Sequence, residues 1–184
     1  MQATPPPNAS QVLSRDEART LTTRVLSFST ADQTRVNVTH ERTGNTRFRD
    51  GDITTSGGTI DTTVTVTVTV GRRRASASTN VLDDASLKRT VDLASRLARL
   101  APEDPELMPE LGPQTYPAVE AFVEGTAELD AEARAEAIGR AVSAATAAGK
   151  SAGDIFAAGY LEANVRAIAV ATSKGLFAYH RTTD

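Results

Sequence analysis

The chain has 184 residues, 40% of them apolar, with a net charge of -3 and no cysteine. That length suits one generous domain or a domain with extensions. The composition excludes disulfides, thiolate metal sites and a cysteine nucleophile, and no apolar run approaches the roughly eighteen residues of a membrane-spanning helix.

Residues 1–13 open with MQATPPPNASQ, which lacks the basic start and apolar stretch of a signal peptide. They read as a disordered lead ahead of a domain over 14–184. Ser14-Arg15-Asp16-Glu17 fits a capping box, and Ala18, Leu21, Val25 and Phe28 follow at helical spacing. A helix is expected from about Arg15 to Phe28. Thr34 to Glu41 alternates as a strand, with Val36 and Val38 on one face. Gly44-Asn45 and Asp50-Gly51 read as turn pairs, and Ser56-Gly57-Gly58 as a break.

Thr59 to Val70 is the clearest strand. Val64, Val66, Val68 and Val70 face one way, and Thr63, Thr65, Thr67 and Thr69 the other. Period-two alternation of β-branched residues predicts one packed face and one wet or lightly covered face. Gly71 allows a turn, and Arg72 to Thr79 pairs back. Asp83 or Asp84 then caps a helix whose stripe is Leu87, Val91, Ala94, Ala98 and Ala101, widened by Leu97 and Leu100. Pro102 and Pro105 end it.

Residues 102–129 read as an acidic linker, with an apolar patch at Val119 to Val123. Residues 100–132 carry nine acids and no base, the mark of a solvated connection. Asp130 caps a third helix with Ile138, Ala141, Val142, Ala145 and Ala148 inward and Gly149 as its stop. Three strands close the chain: Ile155 to Glu162, Val165 to Ala171 and Leu176 to Arg181. Ser173-Lys174-Gly175 turns between the last two. The expected fold is α+β, a mainly antiparallel sheet with three helices packed on it.

Chemistry is sparse. His40-Glu41 starts like a zinc-peptidase motif, but Gly44 and Asn45 stand where a second His is needed, and a strand cannot bring i and i+4 to one face as a helix does. His180 lies in the last strand, and no spacing joins it to His40. No phosphate-binding glycine loop and no serine-nucleophile motif occurs. Arg72-Arg73-Arg74 could bind an anion or an acidic partner; the plainer reading is that it guards a strand end against edge pairing. The Thr63/65/67/69 row is too small an array for ice binding, and a half-buried strand explains it. Residues 1–99 hold 14 Lys/Arg against 10 Asp/Glu, an excess too small to argue for nucleic acid. No catalytic, cofactor-binding or metal residue is assigned.

The order of elements from Thr46 to Pro105 resembles the N-terminal region of the TldD/PmbA family, the "modulator of DNA gyrase" metallopeptidases. The resemblance runs from about Arg15 to the C-terminus. Thr46-Arg47-Phe48, Gly71-Arg72, Ser78-Thr79-Asn80 and Ala101-Pro102-Glu103-Asp104-Pro105 carry it, with a Gly159 to Arg181 hairpin ending in Ala178-Tyr179-His180-Arg181. Arg49, Arg73 and Arg74 depart from the smaller or apolar residues of the family pattern.

In the TldD-like branch, the resemblance implies, a His-Glu-x-x-x-His helix and a later Cys hold the metal in a C-terminal domain. The chain has neither, so zinc is expected only in a full-length TldD-type partner. The PmbA-like branch lacks the motif and acts as a partner subunit. The resemblance further implies a cytoplasmic protein whose partners are a sister TldD/PmbA-type subunit and unfolded or extended peptides, with no nucleic acid and no membrane. The expected function is the non-catalytic N-terminal domain of such a subunit, inactive alone, serving assembly and peptide binding in proteolysis. The alternative is a stand-alone α+β protein-binding or assembly module. An open sheet edge could take a peptide as an added strand; which edge is open is not legible in the sequence.

Overall fold

Tight turns set the sheet. The computed structural model describes residues 12–149 and 155–184. β1 (Gln33–Arg49) and β2 (Asp52–Val70) are joined by Asp50-Gly51 alone. Both turn residues have positive φ, 54° and 88°, the requirement of a type I′ hairpin. β3 (Arg73–Thr79) follows Gly71, at φ 58°. It pairs antiparallel with β2, from Val70 opposite Arg73 to Val64 opposite Thr79. β4 (Ala158–Thr172) and β5 (Phe177–Thr183) turn at Gly175, φ 93°.

The five strands form one sheet in the order β3-β2-β1-β4-β5. Between β1 and β4, Ser173 N–H donates to Thr34 O at 2.8 Å and Asp50 N–H to Ala157 O at 2.8 Å. Ascending numbers in one strand meet descending numbers in the other, so this pair too is antiparallel. Four helices complete the described chain: α1 (Arg15–Ser27), α2 (Asp84–Leu100), the single turn α3 (Glu124–Ala127) and α4 (Ala131–Gly149). The fold is α+β, an antiparallel sheet with helices packed on it.

Two compact units divide the described residues: those up to His40, with Asp61–Glu120 and Ala167–Arg181, form one; Glu41–Ile60, the described part of Ala121–Arg166 and Thr182–Asp184 form the other. In the first, Val36, Val38, Val64, Val66 and Val68 pack with Leu21 and Val25 of α1 and Leu87, Val91 and Ala94 of α2. The capping box forms as expected: Glu17 N–H donates to Ser14 Oγ at 3.3 Å, and Ser14 N–H to the Glu17 carboxylate at 2.8 Å. Asp83 caps α2 through Ser86 N–H at 2.9 Å. Leu13, within the stretch read as a lead, is buried, and its carbonyl accepts a hydrogen bond from Tyr179 Oη at 2.7 Å.

Several expectations are corrected. Leu97 and Leu100 do not widen the α2 stripe; they are 41% and 83% exposed. On β2 the Thr face is not uniformly wet: Thr67 and Thr69 are buried. Thr65 and Thr67 share hydrogen bonds with Ser78 and Ser76 of β3 at 2.9 and 2.8 Å. The hydroxyls are therefore spent inside the sheet.

In the second unit, Gly44-Asn45 and Ser56-Gly57-Gly58 make no turn. β1 and β2 run straight through them, so both strands extend well beyond the expected Thr34–Glu41 and Thr59–Val70. These glycines admit neighbours instead of bending the chain. A Cβ on Gly44 would lie 2.9 Å from Arg134 Cζ, and one on Gly58 would lie 3.0 Å from Thr43 O. Likewise Ile155–Glu162 and Val165–Ala171 are replaced by the single strand β4; Ile155 itself precedes it, and residues 150–154 lie outside the described chain. On α4, Ile138 is buried as expected, but Ala141 and Ala148 are exposed, and the other buried positions are Arg134 and Gly149.

Candidate functional site

The described residues contain no cluster of three or more His, Cys, Asp or Glu able to hold a metal. His40 continues the buried face of Val36 and Val38. It is 2% exposed, and its Nδ1 shares a hydrogen bond with Thr62 Oγ1 at 2.8 Å. His180 is half-buried on β5. No described helix is long and apolar enough to cross a membrane.

The Arg72-Arg73-Arg74 run has an acidic partner in its own chain. Arg72 donates to the carbonyls of Asp104 and Pro105, and Arg73 to Arg99 O at 3.0 Å and to Glu103 at 3.3 Å. Arg74 bonds Glu110 at 3.0 Å, and Arg35 approaches the same carboxylate at 3.6 Å. Glu110 is anchored from behind, where its N–H donates to Gln33 at 2.7 Å. The first part of the acidic linker is thus a strap fixed by the basic run. The opposite charges, noticed separately in the sequence, belong together.

Besides the outer side of the short strand β3, an unpaired edge lies on β2. β3 pairs only with Val64–Val70, which leaves the earlier part of β2 with β1 on one side and no described strand on the other. In the second unit this free stretch is Asp52–Ile60, and every one of its residues is exposed. Ile53 to Ile60 contains no charge and no proline. Natural edges are normally blunted by such residues, because the unpaired N–H and C=O groups otherwise template another strand. By contrast, the end of β5 is occupied. Thr183 N–H donates to Ala121 O at 3.0 Å, and Val123 N–H to Thr183 Oγ1 at 2.9 Å.

Beside this edge is a cavity of about 390 Å³ between the sheet and the start of α4. Gly58, Gly44 and Ala163 give it small walls, and Arg42 and Arg134 give it charge. Arg134 is 6% exposed. Its Nε donates to Thr46 Oγ1 at 3.1 Å and its Nη1 to Leu129 O at 2.9 Å. Arg42 donates to Ala127 O. Neither guanidinium has a carboxylate within ion-pair distance among the described residues. Asp130 lines the same space, with its carboxylate turned to Ala133 N–H at 2.8 Å. Sequence reasoning passed over Arg134. The available signal was an arginine one helical turn before Ile138, on the face meant for the core.

Comparison with known proteins gives the fold a context. Residues 35–98 match the family model described as PmbA/TldA metallopeptidase domain 1. No curated protein sequence matches the chain. Among solved structures, TldE from Thermococcus kodakarensis superposes with a TM-score of 0.74 at 14% identity, over 90% of this chain and 36% of that one. A candidate modulator of a DNA gyrase from Thermotoga maritima gives 0.74 at 14% identity, over 90% and 37%. A candidate modulator of DNA gyrase from Bacteroides thetaiotaomicron gives 0.71 at 15% identity, over 94% and 40%. At such identities the likeness is one of fold, and the chain spans well under half the length of these proteins. The sequence match from β1 to α2 and the fold match over nine-tenths of the chain make this chain similar to the first domain of the PmbA/TldA metallopeptidases.

Proposed function

We propose that this domain is a non-catalytic part of a TldD/PmbA-type peptidase subunit and that it binds extended polypeptide along the free edge of β2. The observation that carries this reading is the Asp52–Ile60 stretch, exposed throughout and free of charge or proline between its ends. An added strand would hydrogen-bond to alternate backbone groups of that edge, which gives affinity with little demand on side chains. Such tolerance suits a protein that handles varied unfolded chains. A sister subunit of the same family is the second partner this reading assigns, in the cytoplasm, with zinc supplied by a TldD-type subunit carrying the His motif.

The test is a titration of a labelled unfolded peptide, its counterpart N-methylated at alternate amides, and a DNA duplex at moderate salt. Binding of the first alone is expected. Peptide binding indifferent to N-methylation, or tight binding of DNA, overturns the reading. A Thr55→Lys variant places a charge on the free edge and is expected to weaken peptide binding at least tenfold with stability changed by less than about 0.5 kcal/mol.

A further inference from the structure

Arg134 presents an unusual electrostatic situation. Arg134 is 6% exposed as a residue, so its side chain has given up much of its water, and buried charges are ordinarily paired with an opposite charge. Here Nε and Nη1 find only a hydroxyl and a carbonyl. For Nη2 no acceptor is present among the described residues, and it lies over Gly44, where an added Cβ would be 3.3 Å away. Arg42 adds a second cation to the same cavity, likewise satisfied by a carbonyl. Against these two stands one carboxylate, Asp130, already engaged by its own helix. The cavity therefore has a net positive lining, unfilled space and an unused donor pair. Its walls include Ser56, Gly58 and Ile60, which belong to the free edge itself.

We propose that this cavity takes the carboxylate of an acidic side chain carried by an extended polypeptide paired to the β2 edge, a proposal that rests on the edge-binding reading above. Side chains of a paired strand project to the two faces of the sheet in alternation. One of every two residues of an added strand faces the same side as Ser56, Gly58 and Ile60. A glutamate there reaches across the side-chain-free surface of Gly58 toward Nη2 of Arg134. A guanidinium and a carboxylate form short, charge-assisted hydrogen bonds in matched planar geometry. The preference is for one acidic residue in a chosen register, added to a backbone interaction that has no preference of its own.

The experiment uses a Val/Thr host peptide, blocked at both ends, with a single Glu moved through successive positions and a Gln counterpart for each. One position is expected to bind about tenfold more tightly with Glu than with Gln. In Arg134→Gln that preference falls to near unity while the Gln peptides bind as before. Because Arg134 also ties Thr46 and Leu129, Arg42→Gln serves as a second variant that leaves those bonds intact and reduces the preference severalfold. A peptide-free arm compares the melting temperature in glutarate, in inorganic phosphate and in chloride at matched ionic strength. Glutarate is expected to stabilise the wild type, and not Arg134→Gln, more than either other anion. Equal binding of Glu and Gln peptides overturns the proposal and leaves the edge reading standing. Absence of all peptide binding, with Arg134-dependent protection by glutarate, removes polypeptide as the carrier together with the edge reading. Greater protection by phosphate overturns the assignment to a carboxylate.

Discussion

In the first unit, Val36, Val38, Val64, Val66 and Val68 are buried to within 1% of completeness beneath α1 and α2. The second unit sets Gly44, Gly58 and Ala163 opposite a helix that buries Arg134, Ile138 and Gly149. One region fills its space with branched aliphatic side chains; the other keeps its strand faces small and admits a charge. Close packing of apolar groups is the main source of stability, while unfilled space, unpaired charge and unpaired backbone are what a ligand can use. Under the function proposed above, folding rests mainly on the first unit and recognition on the second.

The largest effect is expected from Val66→Asp. The side chain is 0% exposed, and a carboxylate there has no partner, so the loss should exceed about 3 kcal/mol and unfold the protein. Thr65→Asp, on the opposite face and half-buried, should cost under about 1 kcal/mol. Paired thermal melts decide it, and equal melting temperatures would show that the face assignment is wrong. Next, Leu87→Ala on α2 should cost about 2–5 kcal/mol, and Leu97→Ala, 41% exposed, less than about 1 kcal/mol. Matched urea titrations measure the pair, and similar losses would contradict the narrow stripe found on α2.

Smaller again is the strap. Glu110 has a side chain only 7% exposed between Arg35 and Arg74. Glu110→Gln should cost about 1–2 kcal/mol, after allowance for the part-exposed arginines. It should also open residues near Met108 to limited proteolysis before the global transition. Cleavage unchanged in rate would mean the strap is held by its backbone bonds alone.

The smallest effect is on acidification. Hydrogen bonds from Ser14 hold the Glu17 carboxyl below its usual range. The Ser86 amide and hydroxyl do the same for Asp83, and Thr63 and Asn80 for Asp61. Each lowered group stabilises the fold above its unfolded value of about 4 and loses that contribution as pH falls through the lower folded value. Melting temperature should therefore drop below about pH 4, and Ser14→Ala should flatten part of that slope. An unchanged slope would mean that the cap does not carry it.

Much of the first unit was legible in the sequence because its rules are local. Ser14 and Glu17 declare a capping box, Asp83 a cap, Val64 to Val70 an alternating strand, and Asp50-Gly51 a hairpin, each within a few residues. The second unit resisted for the opposite reason. Gly44 and Gly58 look like turn residues until the guanidinium of Arg134 and the carbonyl of Thr43 are seen against them, and Arg134 lies ninety positions from Gly44. Likewise the free edge is defined by where β3 stops pairing, at Thr79 opposite Val64. No composition rule within Asp52–Ile60 marks it. Long-range closeness decides these features, and a single sequence does not display it.

The central claim is that the free stretch of β2 pairs with extended polypeptide. Amide hydrogen exchange, read residue by residue with and without a saturating unfolded peptide, tests it directly. Protection should rise at alternate amides within Asp52–Ile60, those facing away from β1, with little change in Val64–Val70, which β3 already covers. Protection that appears elsewhere while Asp52–Ile60 exchanges as fast as before would contradict the account.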